Sequence, residues 1–415
     1  MRNKFILVFV LLLAAGALSA QQYTLLIKDG HVIDPKNGID GVMDVAVRGD
    51  SIAKVAARID PKLAVQVVSA KGLYVVPGLI DLHSHNFYGT QPDHYLSDGF
   101  EALPPDGFTF RNGVTTVVDA GGAGWRSFGT FKAQVIEHSK TRVLSFLNIV
   151  GEGMRGGPYE QNLNDMDARA TAFVAQHHRE IVGIKVAHYS GAEWDPVDRA
   201  LEAGRMAHVP VMIDFGGHVP PLPLEDLLIK RLRPGDIFTH TYARVAGRMP
   251  VIDDAGNLLP FIKDAQRRGI IFDVGHGGGS FLFSQAAPAL KLGFFPNTIS
   301  TDIHTGSMNA GMKDLSNIMS KFLIMGMPLA EIVAATTWKP ATVINMKELG
   351  HLSEGAVADI AIFSVRKGKF GFIDSGGFRM DGDQKLECEM TVRAGKVVYD
   401  LNGISRPLWP SGGKL

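Results

Sequence analysis

The sequence predicts an α/β protein: a closed (β/α)8 barrel of the TIM type, with a small β-sandwich formed by both chain ends. Three observations predict it. In the middle of the chain, apolar strand-like runs alternate with amphipathic helix-like segments, and eight such runs can be read off. Both flanks have another texture, short strands with tight turns. Finally, the run VVPGLIDLHSH from Val75 to His85 ends a first strand with His83 and His85. Alternate strand residues share a face, so both imidazoles point the same way, at the strand end where such barrels keep their active sites.

The first twenty residues stand apart. Arg2 and Lys4 precede an apolar run, then small residues lead to Ala20, the order of a cleavable secretory signal. The run is short for a membrane anchor, the alternative reading, and no later segment is apolar enough to span. A secreted or periplasmic location is expected. Residues 21–76 give strands separated by Lys28-Asp29-Gly30 and Gly49-Asp50, and residues 342–405 give a strand and a hairpin around Ala394-Gly395. Pairing of these ends into one β-sandwich is more economical than two separate appendages.

The barrel is assigned to residues 77–341. After the first strand come runs at 115–119, 143–150, 181–186, 210–215, 237–242, 270–274 and 298–304, with helices expected near 166–180, 196–207 and 258–268. An open doubly wound sheet is the alternative, but no Gly-rich phosphate loop follows the first strand. The polar stretch 86–112 reads as a loop over the active-site face.

Composition narrows the chemistry. Lys+Arg and Asp+Glu are 42 each, so no electrostatic case exists for nucleic acid. A homo-oligomer is left open. The lone Cys388 can form neither an internal disulfide nor a thiolate metal site, so a metal would need His, Asp, Glu or Lys.

Such residues recur at later strand ends. Lys185 lies inside the apolar run Gly183 to His188, where a buried ammonium is costly. Either it snorkels at the strand tip, or its amine captures carbon dioxide as a carbamate able to bridge two metal ions. His240 caps the sixth strand, where a lone histidine is more often structural. Asp302 ends the eighth, where a metal or a proton-transfer role would justify a carboxylate. Found in order on strands one, four, six and eight, the set points to a metal hydrolase. His304, two residues beyond Asp302, and His276 in the Gly-rich loop after strand seven are candidate substrate contacts, or ordinary loop histidines. Tyr189, Tyr242 and Arg244 are further candidates, Arg244 as partner for a carboxylate.

This order of HxH, Lys, His and Asp on such a barrel resembles the amidohydrolase superfamily. PGLIDLHSH is similar to its first-strand motif. GDIFTHTYAR, IIFDVGHGGGSF and ISTDIH resemble the deacetylase branch, related to D-aminoacylases, dihydroorotases and acyl-hydroxy-acid deacetylases. The resemblance covers nearly the whole mature chain. It implies two divalent ions, with zinc expected. His83, His85 and Asp302 would bind one, carboxylated Lys185 would bridge, and His240 would bind the other. Asp302 would also carry the proton from water to the leaving group.

One departure stands out. The branch's fifth strand ends in a histidine ligand, and Asp214 occupies that place here. Three readings follow: Asp214 itself ligates, His218 reaches in instead, or the second ion is weak or absent. The first is preferred, since a carboxylate is a legitimate ligand and a buried acid needs a partner. The expected function is an exported metal-dependent deacetylase acting on an N-acyl or O-acyl bond of a small carboxylate-bearing substrate. A cyclic amide hydrolase of dihydroorotase type is the alternative enzyme. A periplasmic binding barrel without turnover is the alternative from another class; it has no need of Asp302 and Lys185.

Overall fold

The computed structural model describes residues 21–88, 101–214 and 216–409. The expected signal segment and residues 89–100 of the expected loop lie outside them. The chain opens with β1 (Tyr23–Asp34), β2 (Ile39–Arg48), β3 (Ser51–Ala56), β4 (Ala64–Ser69) and β5 (Tyr74–Pro77). A bulge between Ile27 and Gly30, with Asp29 at φ 58°, divides β1. Its first part pairs with β4 and its second with β5, while β2 runs along the other edge.

The barrel strands follow: β6 (Leu79–Ser84), β7 (Val114–Gly124), β8 (Arg142–Asn148), β9 (Ile181–Val186), β10 (Val211–Ile213), β11 (Ile237–Phe238) and β12 (Ile271–Phe272). Each pairs in parallel with the next. The eighth member is the segment 298–303. It makes parallel bridges from Thr298 to Asp273 and from Ile303 to Ser84, so it joins the last strand to the first. Every position of β6, β7 and β9 is buried, and every position of β8 after Arg142, as expected of strands covered on both faces.

The later ladders are shorter than their apolar runs. At the sixth and eighth strands the backbone turns left-handed at His240 (φ 56°) and Asp302 (φ 52°), which lifts it out of register. Asp and His tolerate that conformation better than most residues, and such strain gathers at functional sites. The expected helices form as Ala168–His177, Asp195–Ala207 and Phe261–Arg267. Asp167 caps the first through Arg169 and Ala170 N–H, and Pro196 sits in the opening turn of the second.

The chain ends with β13 (Ile360–Ile373), β14 (Arg379–Arg393) and β15 (Lys396–Asp400). Antiparallel pairing sets Ala361 opposite Val76 and Ile362 opposite Val75, so the two ends meet as expected. Hydrogen bonding runs continuously from β15 through β13, β5 and β1 to β3, with β4 added on β1. The result is one mixed sheet, and nothing in this pairing divides it into the two layers of a sandwich. Asp359 ties sheet to barrel: it accepts from Arg142 Nη1 at 2.8 Å, Arg393 Nη1 at 3.2 Å and the Ala394 N–H at 2.8 Å. Among the described residues no helix is long and apolar enough to cross a membrane.

Candidate metal centre at the strand ends

The ligand atoms of His83, His85 and Asp302 lie within 4.8 Å of one another. Asp302 Oδ1 stands 2.8 Å from His85 Nε2 and 3.3 Å from His83 Nε2. Nitrogen and oxygen donors at about 2.1 Å on one tetrahedral cation sit roughly 3.3 Å apart. The donor set therefore fits a divalent ion.

Neighbouring bonds fix which nitrogen faces the pocket. Thr239 Oγ1 gives its only hydrogen to Asp273 Oδ2 at 2.8 Å, so at 2.9 Å it must accept from His83 Nδ1. The Nε2 lone pair is left toward Asp302. His240 Nδ1 lies 2.6 Å from the Gly275 carbonyl, which can only accept, so its Nε2 also faces inward. Burial, then Lys185, hold the His83 imidazole well below its ordinary pKa, neutral and ready to ligate. Burial opposes ionisation of Asp302, but His83, His85 and His240 outweigh it and keep the carboxyl below its usual range. Asp81 braces the same strand ends, accepting from Thr301 N–H at 3.0 Å and Thr301 Oγ1 at 2.5 Å.

Asp273→Asn tests the Thr239 relay. Neutral Asn no longer draws the Thr239 hydrogen as the carboxylate does, so the His83 tautomer is no longer fixed. Metal affinity, read by competition with a chromogenic chelator, should fall roughly 10–100-fold.

Lys185 is buried, with Nζ 3.3 Å from His83 Nε2 and 3.6 Å from Met212 Sδ. Burial lowers its pKa against the pull of Asp214, Asp302 and Asp273. Asp214 does face the site: Oδ2 is 3.2 Å from His240 Nε2 and 3.6 Å from His188 Nε2. Its Oδ1 accepts from Arg248 Nη1 at 3.1 Å, and Arg248 Nη2 donates to the Thr239 carbonyl at 2.5 Å. His218 instead turns Nδ1 to the Pro220 carbonyl at 2.8 Å. His304 lies at the rim, its ring 6.1 Å from that of His85 and its Nδ1 2.6 Å from Glu101 Oε2.

Other expected substrate contacts are engaged elsewhere. His276 is buried within the protein. Its Nδ1 donates to the Gly277 carbonyl at 2.9 Å and its Nε2 accepts from Lys321 at 2.7 Å, so it is a brace and not a substrate-facing loop residue. Arg244 pairs with Asp254 at the surface. Tyr242 is buried between Phe281 and Phe322, and its hydroxyl has no hydrogen-bond partner among the described residues. Tyr189 points its hydroxyl at Glu193, 2.8 Å away.

Sequence reasoning missed Arg248, Asp273, Thr239 and the pair of His188 with buried Glu160, joined at 2.9 Å. Arg248 carries no signal, since it sits in a loop. His188 does, because it follows an apolar strand as His240 does and shares its left-handed backbone, with φ 53°.

Comparisons with known proteins agree with this geometry. A profile of the Amidohydrolase family matches residues 304–399. A deacetylase of Brucella anthropi is 33% identical over 347 residues, 81% of this chain and 83% of the relative. A solved adenine deaminase superposes with a TM-score of 0.81 at 28% identity, covering 91% of this chain and 100% of that one. A dihydroorotase superposes at 0.79 with 29% identity, covering 91% and 99%. With that identity sustained over most of both chains, the protein belongs to the amidohydrolase superfamily and is a hydrolase acting on C–N bonds.

Proposed function

We propose that this protein is an exported metal-dependent deacetylase that cleaves an N-acyl or O-acyl bond of a small carboxylate-bearing substrate. The observation that carries the reading is the shared donor group of His83, His85 and Asp302, with the His83 Nε2 lone pair fixed toward it. A second cation would take His240 Nε2 and Asp214 Oδ2, already 3.2 Å apart, with a carbamate on Lys185 between the two sites. Divalent ions held there, zinc foremost, supply Lewis acidity and a water acidified toward neutrality.

The chain's own residues do the rest. Asp302 accepts the proton of the attacking water and delivers it to the leaving nitrogen or oxygen. Arg248 orients Asp214 by binding one oxygen and leaving the other to the pocket. His304, braced by Glu101, contacts the substrate at the rim. A relative named deacetylase supports acyl-group removal. The dihydroorotase likeness favours, as second reading, hydrolysis of a cyclic amide.

The test is protein purified without chelator, assayed for bound metal and for hydrolysis of N-acetyl acids, O-acetyl acids and cyclic amides. Acetate release that a chelator abolishes and added metal restores is expected. Turnover of cyclic amides alone would transfer the assignment to the second reading. No turnover by metal-replete protein would leave a binding barrel. Incorporation of 13C-bicarbonate into a carbamate, seen by NMR, tests Lys185. An N-terminus at Gln21 on protein recovered from the periplasm tests export.

A further inference from the structure

Lys321 is a buried amine that the proposed mechanism does not use. It lies in the helix Leu315–Ile324, and its Nζ donates to three acceptors, each at 2.7 Å: His276 Nε2, the Gly311 carbonyl and the Ile373 carbonyl. Three ammonium hydrogens are thus matched by three acceptors. The His276 ring stacks on Phe281 at 4.4 Å and 15°, and Phe281 O accepts from Ser375 N–H at the tip of the β13–β14 hairpin. One side chain therefore fastens barrel, loop and hairpin together.

The loop it fastens forms the back wall of the site. Gly275 and Gly277, on either side of His276, both have positive φ, 45° and 52°. A Cβ on Gly277 would fall 2.2 Å from Asp302 Oδ2. One on Gly275 would fall 2.3 Å from Thr239 Oγ1, 2.9 Å from His240 Nδ1 and 3.0 Å from His83 Nδ1. The loop backbone lies directly on the carboxylate and against both rings, and the Gly275 carbonyl holds His240 Nδ1. Any displacement of His276 moves these contacts.

We propose that Lys321 is a positioning residue for the reaction: by holding His276 it presses the loop 275–277 against Asp302 and His240 and sets their approach to substrate. The proposal rests on the reading of Asp302 as the proton carrier. A mere bolt between barrel and hairpin would affect stability and nothing else.

Lys321→Met removes all three donors at similar volume, and Lys321→Gln keeps an amide donor for His276. Both should melt earlier than the wild type yet bind the same metal per chain, since no proposed ligand is touched. At saturating metal, kcat should fall roughly 10–100-fold in Lys321→Met and less in Lys321→Gln. KM should stay within about twofold, so that the loss falls on kcat and not on substrate binding. If Lys321→Met does not fold, the same readouts on Lys321→Gln decide. A folded, metal-replete variant with the wild-type kcat would overturn the proposal. Imidazole 15N shifts give an activity-free readout: Lys321→Met should shift His240 as well as His276. Shifts confined to His276 would overturn the coupling. Failure of the wild type to hydrolyse any substrate would sink the functional reading, while the His240 shift would still report the mechanical link.

Discussion

Asp302→Asn should fold and lose hydrolysis by roughly 10²–10⁴-fold in kcat at saturating metal, with KM little changed. Asparagine is the informative replacement because it tolerates the left-handed backbone that position 302 requires, φ 52°, so the strand end keeps its shape. What it removes is the charge and the ability to take up a proton. Asp302 has a second part to play, since its Oδ1 faces His83 and His85 across 3.3 Å and 2.8 Å. The two roles separate by titration. A loss that added metal repairs is a loss of ligation. A loss that persists with metal content restored is a loss of proton transfer. Full activity in Asp302→Asn would remove the carboxylate from the mechanism and reopen the search for the proton carrier.

Lys185→Met should split stability from function in opposite directions. The amine is buried, and burial alone disfavours its charged form. Replacing a buried charge by a well-packed apolar side chain is often stabilising by about 1–4 kcal/mol. The low end applies here, because Asp214, Asp302 and Asp273 favour the ammonium and lose a compensating charge with it. The metal-free variant should therefore melt no earlier than the metal-free wild type. Met212 Sδ already stands 3.6 Å from Nζ, and Gly121 packs on the Lys185 stem, so a thioether has apolar neighbours. Metal bound per chain and turnover should both drop, turnover at least 100-fold, because the variant lacks the proposed bridging ligand. Wild-type metal content and rate in Lys185→Met would show that the amine only packs. Calorimetry, elemental analysis and a steady-state assay together decide it.

The site was legible in the sequence wherever a polar side chain interrupts or ends an apolar strand. His83 and His85 follow from the two-residue period of a strand. Lys185, His240 and Asp302 follow from the cost of placing such groups at the end of a buried run. The same rule, applied to His188, would have found it too. Loop residues were misjudged for one shared reason, that orientation in a loop depends on partners remote in sequence. His276 turns to Lys321, 45 residues later in the chain. Arg244 finds Asp254 at the surface, whereas the nearby Arg248 reaches Asp214, 34 residues back.

The sequence by itself determined the barrel, the meeting of both chain ends in one β element, and the placing of polar side chains at the strand ends. These rest on local periodicity and on the energetic cost of burying polar groups. Only the tertiary structure decided that the ends share one continuous sheet through β5 and β13, and that the last barrel member is a bridged segment instead of a regular strand. It alone decided that Asp214, with Arg248 on its other oxygen, faces the pocket while His218 turns away. The Asp273–Thr239–His83 relay likewise appears only once three separate strand ends are brought together. Hydrogen-bond direction and ring tautomer depend on contacts across the closed barrel, and local sequence pattern carries no record of them.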